Sequence, residues 1–214
     1  MTTPGAVRIF CVVICSEGFS ALEWVAFVTG VVSVYLSTRE NVWSWPTAIV
    51  NVSLYFLLFY RTGLYSDMGL QLVYLALSIY GWYQWLFGGA NRTELHVSRA
   101  QPGIWLISLG AGVVFWLLLA SITTRLQGVA LPRLDAALTT LSLVAQWMMT
   151  RKVLENWALW IVADVIYVPM YIYKGLYVTA ALYTVFLALA IMGLVEWRRS
   201  LARDHEPVEA LGVT

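Results

Sequence analysis

The chain has 214 residues, of which 60% are hydrophobic and only 12% are charged, and its formal net charge is +1. Soluble domains carry about 25% charged residues, so this composition argues against a soluble protein and predicts an all-α protein of the lipid bilayer. The near-neutral charge also argues against a nucleic-acid binder, because such proteins cluster Lys and Arg against phosphates.

Apolar blocks follow one another along most of the chain. A helix that crosses a bilayer needs about 20 predominantly apolar residues. Residues 1–19 hold only a shorter block and are predicted to be a lead-in segment, whose insertion the sequence leaves open. Seven transmembrane helices are then predicted, at residues 20–38, 43–60, 67–87, 103–122, 133–150, 157–173 and 178–197. Residues 201–214 are predicted to form a cytoplasmic tail.

An internal repeat organises these helices. A shift of 112 residues superimposes Arg39–Leu86 on Arg151–Arg198 without a gap and gives 16 identities in 48 pairs. The matches include Trp45 with Trp157, and the triplet Gly-Leu-Tyr occurs at the same place in both copies. Apolar composition alone yields chance matches of Leu, Val and Ala, but it does not align such landmarks. The sequence therefore contains a duplication.

The repeat predicts an architecture. Residues 20–87 form the first three-helix repeat, 88–132 a loop and a linker helix, and 133–200 the second three-helix repeat. One linker helix between two three-helix units returns the chain to its starting side, so both repeats point the same way through the membrane. Parallel repeats of this kind are a known transporter plan, with the substrate near the midplane where the repeats meet.

Basic residues predict the orientation. The side that holds the N-terminus carries five, namely Arg8, Arg61, Arg125, Arg133 and Lys174. The other side carries eight, namely Arg39, Arg92, Arg99, Arg151, Lys152, Arg198, Arg199 and Arg203. Because Lys and Arg accumulate on the cytoplasmic side, the C-terminus is predicted to be cytoplasmic and the N-terminus outside.

The sixth predicted helix carries a carboxylate at membrane depth, where ionisable groups are costly and mark functional sites. Steps of three, four and three residues place Trp157, Trp160, Asp164 and Tyr167 on one helix face. Aromatic rings around a carboxylate suit an organic cation, through cation–π attraction and direct charge pairing. The alternative is that Asp164 pairs structurally with a neighbouring helix or is protonated.

Uncharged polar residues add further candidates for a substrate site. Asn51, with Trp45 and Tyr55 around it, lies in the second helix, Gln71 in the third and Gln146 in the fifth. Each amide could bind a substrate hydroxyl or could form a hydrogen bond between helices. No phosphate-binding loop, zinc-binding pair or activated nucleophile is present, so the sequence predicts no enzyme, no cofactor and no metal site.

Several motifs resemble those of PnuC-type vitamin transporters over roughly residues 20–200. In the second repeat they are Met149-Thr150-Arg151-Lys152, Glu155-Asn156-Trp157-Ala158-Leu159-Trp160 and Lys174-Gly175-Leu176-Tyr177. In the first repeat they are Trp45-Pro46, Asn51-Val52-Ser53-Leu54-Tyr55, Leu70-Gln71 and Tyr80-Gly81-Trp82-Tyr83-Gln84-Trp85. The resemblance implies a 3+1+3 fold like that of the sugar-transporting SWEET proteins, assembled as a homotrimer in the bacterial inner membrane.

The resemblance also implies a function. It is the uptake of nicotinamide riboside by facilitated diffusion, with the substrate retained when a cytoplasmic kinase phosphorylates it. Trp157 and Trp160 would stack on the substrate, and Asn51 and Gln71 would contact its polar groups. One departure is Asp164, where members of the family often have Asn. Thiamine or riboflavin import stays open as an alternative, as do proton coupling, a membrane-embedded enzyme and a structural subunit.

Overall fold

The computed structural model describes residues 21–62, 65–123, 132–173, 175 and 177–204. These residues form seven long helices and, among the described residues, no β-strand. The helices are α1 (Ala21–Thr38), α2 (Ser44–Thr62), α3 (Tyr65–Phe87), α4 (Pro102–Thr123), α5 (Pro132–Thr150), α6 (Asn156–Tyr173) and α7 (Tyr177–Asp204). The predicted lead-in segment at 1–19 and the tail beyond residue 204 lie outside the described residues.

The seven predicted helices are confirmed, and six of them begin and end within two residues of the expected positions. The exception is the end of α7, which continues from the expected residue 197 to Asp204. Hydropathy falls at Arg198, but the helix continues beyond it, because Arg and Glu are good helix formers. Glu196 and Arg199 also form an i,i+3 ion pair of 3.6 Å on this last stretch.

Helix packing produces a ring. Going around it, α1 packs on α2, α2 on α3, α3 on α5, α5 on α6, α6 on α7, and α7 returns to α1. In this order α2 and α6 occupy opposite places in the ring. The fourth helix packs on α5 from outside. The ring therefore places the inward faces of α2 and α6 on the two sides of one central axis.

In the described part of the chain, two helices are long and apolar enough by themselves to cross a membrane. They are Pro102–Ser121, with a mean hydropathy of 2.2, and Thr179–Arg203, with 1.9. On α4 the apolar side chains point outward, and Leu106 is 74% exposed. The ring helices other than α7 are less apolar than these two.

One end of the ring is closed by four tryptophans, here called the tryptophan cluster: Trp45, Trp85, Trp157 and Trp197. All four are buried. Each repeat contributes one pair at a right angle: Trp45 and Trp85 have ring centroids 5.3 Å apart at 88°, and Trp157 and Trp197 are 5.4 Å apart at 87°. Edge-to-face packing of this kind is favourable for aromatic rings.

The loop between α3 and α4 lies along the turn between α5 and α6. The Ser98 amide donates to the Lys152 carbonyl at 3.0 Å, and the Leu154 amide donates to the Ser98 carbonyl at 2.9 Å. The Ala100 amide donates to the Glu155 carboxylate at 2.9 Å. These bonds satisfy backbone groups that helices do not pair. The loop is thereby fixed to the second repeat at the tryptophan end.

Candidate functional site

The inward face of α6 carries the predicted carboxylate. Asp164 is only 3% exposed, and Tyr167 on the same face is also buried. Among the residues that the structure describes, no ion pair or hydrogen bond is made by the Asp164 carboxylate. Burying a charge without a partner is costly. The carboxylate therefore needs a proton or a cation that the described part of the chain does not supply.

Two tyrosines one to two turns farther along this face of α6, Tyr167 and Tyr171, pack with Tyr183 of α7, and we call the three the tyrosine cluster. The Tyr167 and Tyr171 rings stack at 5.6 Å, while Tyr183 of α7 lies 4.7 Å from Tyr167 and 5.0 Å from Tyr171. All three rings thus contact one another. The cluster brings polarisable ring faces next to the segment of α6 that holds Asp164.

Polar groups border the tyrosine cluster. The hydroxyls of Tyr74 and Tyr167 both interact with the hydroxyl of Ser142 on α5. Two further carboxylates, Asp67 and Asp135, lie in the first turns of α3 and α5. These helices begin at the end of the ring opposite the tryptophan cluster. Ring faces and carboxylates together give this half of the ring a preference for cations.

Trp157 and Trp45 are core residues in this structure. Trp157 is 1% exposed and packs so closely on α7 that a Cβ added at Gly193 would lie 2.5 Å from its ring. Trp45 packs in the same way on Gly81. The two glycines permit the close approach of an indole. Trp160 is half-buried between this cluster and Asp164.

Asn51 lies between two helices of the first repeat. Its amide nitrogen donates to the Ala26 carbonyl at 2.5 Å and to the Thr29 hydroxyl at 3.3 Å. Gly30 leaves room for this side chain, since a Cβ there would be 3.1 Å from the amide nitrogen. The geometry corresponds to the interhelical alternative for Asn51. Tyr55, one turn on, stacks against Phe59 at 5.9 Å.

The two predicted glutamines lie on the helices that join the repeats. Gln71 is in α3 and Gln146 in α5, and both side chains are half-buried. The structure thus gathers Trp157, Trp160, Asp164 and Tyr167 on one inward face, as the sequence predicted, and places Asn51 in a separate contact. The sequence analysis missed Tyr171 and Tyr183. Tyr171 continues the helical face by four residues, but Tyr183 is brought there only by the packing of α7.

Comparisons with known proteins give the same kind of protein each time. Residues 20–199 match the family described as Nicotinamide mononucleotide transporter. The nicotinamide riboside transporter PnuC of Escherichia coli is 28% identical over 211 residues, which covers 87% of this chain and 88% of that protein. The riboflavin/roseoflavin transporter RibM of Streptomyces davaonensis is 28% identical over 191 residues, with the same coverage of 87% and 88%. The crystal structure of the vitamin B3 transporter PnuC aligns with a TM-score of 0.68 and 27% identity, covering 92% of this chain and 88% of that chain.

Proposed function

Because the chain belongs to the PnuC-type family of nicotinamide mononucleotide transporters, and is therefore a multi-pass membrane protein, we propose that it imports nicotinamide riboside by facilitated diffusion. The observation that carries the proposal is the buried Asp164 carboxylate, which has no partner among the described residues. The pyridinium ring of nicotinamide riboside is a permanent cation. It would supply the positive charge that this carboxylate needs.

The proposed mechanism is a rocking motion of two parallel three-helix repeats, α1–α3 and α5–α7, with α4 as the linker in a 3+1+3 arrangement. The support is that residues 112 positions apart make equivalent contacts, as Trp45 with Gly81 and Trp157 with Gly193 do. We assign the tryptophan end, with the C-terminus, to the cytoplasm of the bacterial inner membrane. The apolar outer face of α4 is suited to lipid or to neighbouring protomers of a homotrimer.

Substrate recognition in this proposal divides between charge and shape. Asp164 pairs with the cation, while the rings of Tyr167 and Trp160 stack beside it, each cation–π contact being worth about 0.5–2 kcal/mol. We assign Trp157 to the packing of α6 on α7 at the tryptophan end. Gln71 and Gln146 offer amides to the ribose hydroxyls. We assign Asn51 to holding α2 against α1.

The same carboxylate explains retention of the product. Phosphorylation by a cytoplasmic kinase adds about −1.5 to −2 charges at neutral pH. A phosphate would be repelled by Asp164 in a site of low dielectric, where charges interact strongly. The riboside would therefore cross in both directions, and the phosphorylated form would stay inside.

A second candidate substrate follows from the RibM relative, which is named a riboflavin/roseoflavin transporter and is as similar as PnuC. Riboflavin is neutral and gains nothing from a buried carboxylate. Thiamine is a cation and would satisfy Asp164 as nicotinamide riboside does. The charge of the site therefore ranks riboflavin below the two cations.

Uptake into liposomes containing the purified protein tests the proposal. Labelled nicotinamide riboside, thiamine and riboflavin are compared, with and without a nicotinamide riboside kinase and ATP enclosed. We expect nicotinamide riboside to equilibrate without the kinase and to accumulate with it. Saturable uptake of riboflavin alone would overturn the choice of substrate, and no uptake of any vitamin would overturn the carrier.

A pH gradient across the same liposomes tests the energy source. Facilitated diffusion predicts an uptake rate that does not depend on the gradient. Accumulation of the riboside above its external concentration, driven by an inward proton gradient without kinase, would show proton coupling instead.

A further inference from the structure

We propose that the tryptophan end is a gate that opens in every transport cycle, and that the ion pair between Glu40 and Lys152 is the clasp that holds it shut. The inference rests on the proposed carrier function and adds to it the residues that seal one end of the pathway. It concerns the turns between helices and the tryptophan cluster, and it makes no use of Asp164.

The clasp lies between equivalent positions of the two repeats. Glu40 and Lys152 are 112 residues apart, which is the repeat shift itself, and the Lys152 ammonium lies 3.2 Å from the Glu40 carboxylate. Both side chains are largely buried, at 9% exposure for Lys152 and 23% for Glu40. A position that meets its own copy across an axis cannot form an ion pair while the copies are identical. Opposite charges at this position mean that the repeats have diverged so as to attract each other.

The tryptophans next to the clasp also cross between the repeats in matched pairs. The Trp85 indole N–H donates to the Met149 carbonyl, and the Trp197 indole N–H donates to the Ser37 carbonyl, both at 3.0 Å. The two donors are 112 residues apart from each other, and so are the two acceptors. The Trp85 and Trp197 rings lie 5.9 Å from each other, and the Lys152 ammonium lies 4.7 Å from the Trp85 ring. One ion pair and two hydrogen bonds, all of them between the two repeats, therefore close this end of the ring.

Closure at this end has a cost. Four polar groups are buried here without a partner among the described residues. They are the hydroxyl of Ser44, the side-chain carbonyl oxygen of Asn156 and the indole N–H groups of Trp45 and Trp157. These residues form two equivalent pairs in the repeat. In the proposed open state water would reach these groups, so closure combines the attraction of the clasp with the cost of burying them.

This balance distinguishes a gate from a permanent seal. A permanent seal would be more stable if these buried polar groups were paired, whereas a gate hydrates them each time it opens. A two-state element needs stabilising and destabilising contributions of similar size, so that substrate binding shifts the equilibrium. The clasp and its neighbours have both.

Reversible cross-linking tests the gate. In a chain with Cys11 and Cys15 replaced, Glu40→Cys and Lys152→Cys are joined by a short bifunctional thiosulfonate, and riboside exchange in liposomes is measured before and after reduction. We expect cross-linking to abolish exchange, at least tenfold, and reduction to restore it. Restoration shows that the protein had not misfolded. If the cross-linked protein exchanged the riboside as fast as the same protein after reduction of the cross-link, the proposal would be overturned. No exchange in the cysteine-free parent would instead count against the carrier function.

A charge swap tests the pair itself. Glu40→Lys places two cations together and is expected to slow exchange, and Glu40→Lys with Lys152→Glu is expected to recover most of the rate. Arg39→Gln is the matched control, because the Arg39–Glu196 pair nearby is exposed and 3.9 Å long. A double swap no faster than the single variant would show that the two residues do not act as a pair.

Discussion

The tryptophan cluster and the tyrosine cluster lie toward opposite ends of one ring, and they differ in how far the internal repeat is preserved. At the tryptophan end the tryptophan contacts of the first repeat have counterparts in the second. Trp45 on Gly81 matches Trp157 on Gly193, and the hydrogen bond from the Trp85 indole matches that from the Trp197 indole. At the tyrosine cluster the repeat holds only in part. Tyr167 matches Tyr55, and its stack on Tyr171 matches the stack of Tyr55 on Phe59. The cluster is otherwise different, because Tyr183 takes the place of Gln71 and the nearby Asp164 takes that of Val52.

The difference shows where duplication is kept and where it is lost. Two halves that rock against each other need matched contacts where they close, so equivalent residues are retained there. A substrate such as nicotinamide riboside has no two-fold symmetry, so a site that binds it has to be different on its two sides. The glutamate-to-lysine difference in the clasp lies at the more symmetric end, and there too the repeats had to differ in order to attract each other.

The largest effect on stability is expected from substitutions in the tryptophan cluster. Trp85→Ala and Trp197→Ala each remove a buried indole, and each should lower the free energy of unfolding by about 3–5 kcal/mol. The two losses should be nearly equal, since the residues occupy equivalent places. Denaturation of the purified protein in detergent measures both, with Trp105→Ala on the exposed side of α4 as the control. Unequal losses would show that the two repeats do not contribute equally to the stability of this end.

The next largest effect is expected from removing the charge of Asp164, in the half of the ring that holds the tyrosine cluster. Asp164→Asn keeps the shape of the side chain and removes its charge, so affinity for nicotinamide riboside should fall about 10–100-fold, which corresponds to about 1.4–2.8 kcal/mol. Thermal stability should not fall, because a buried charge without a partner is removed. Calorimetric titration with the riboside, and melting without it, separate the two effects. Unchanged affinity would place the cation elsewhere.

Substitution of the two glycines that contact Trp45 and Trp157 is expected to have a smaller effect on stability. Gly81→Ala and Gly193→Ala would each place a Cβ against an indole ring, of Trp45 and Trp157 respectively, and overpacking of this kind costs about 1–3 kcal/mol. Gly103→Ala is the matched control, because nothing lies within 4 Å of the added atom. Melting temperatures of the three variants should separate the first two from the third. A stable Gly193→Ala protein would contradict the packing described for Trp157.

The smallest effect concerns Asn51, which belongs to neither cluster. Asn51→Ala removes the hydrogen bonds to α1 and should lower the free energy of unfolding by about 1 kcal/mol. Affinity for the riboside should stay within about twofold of the unaltered chain. A loss of affinity without a loss of stability would show that the side chain contacts the substrate, as the resemblance to PnuC-type proteins implies.

Sequence alone determined the number of helices, nearly all their ends, the duplication and the buried face of α6. These features follow from apolar blocks, from a shift of 112 residues and from helical spacing, which are properties of neighbours along the chain. The end of α7 was missed because hydropathy reports where apolar residues stop, whereas helical geometry continues through solvated charges to Asp204.

Only the tertiary structure decided which residues of different helices meet. The sequence could align Glu40 with Lys152, but it could not show that two aligned residues touch, because that depends on an axis between the repeats. It also could not bring Tyr183 to Tyr167, or direct Asn51 to the carbonyl of Ala26. Such contacts depend on the rotation and depth of one helix against another, and no periodicity within a single helix encodes them.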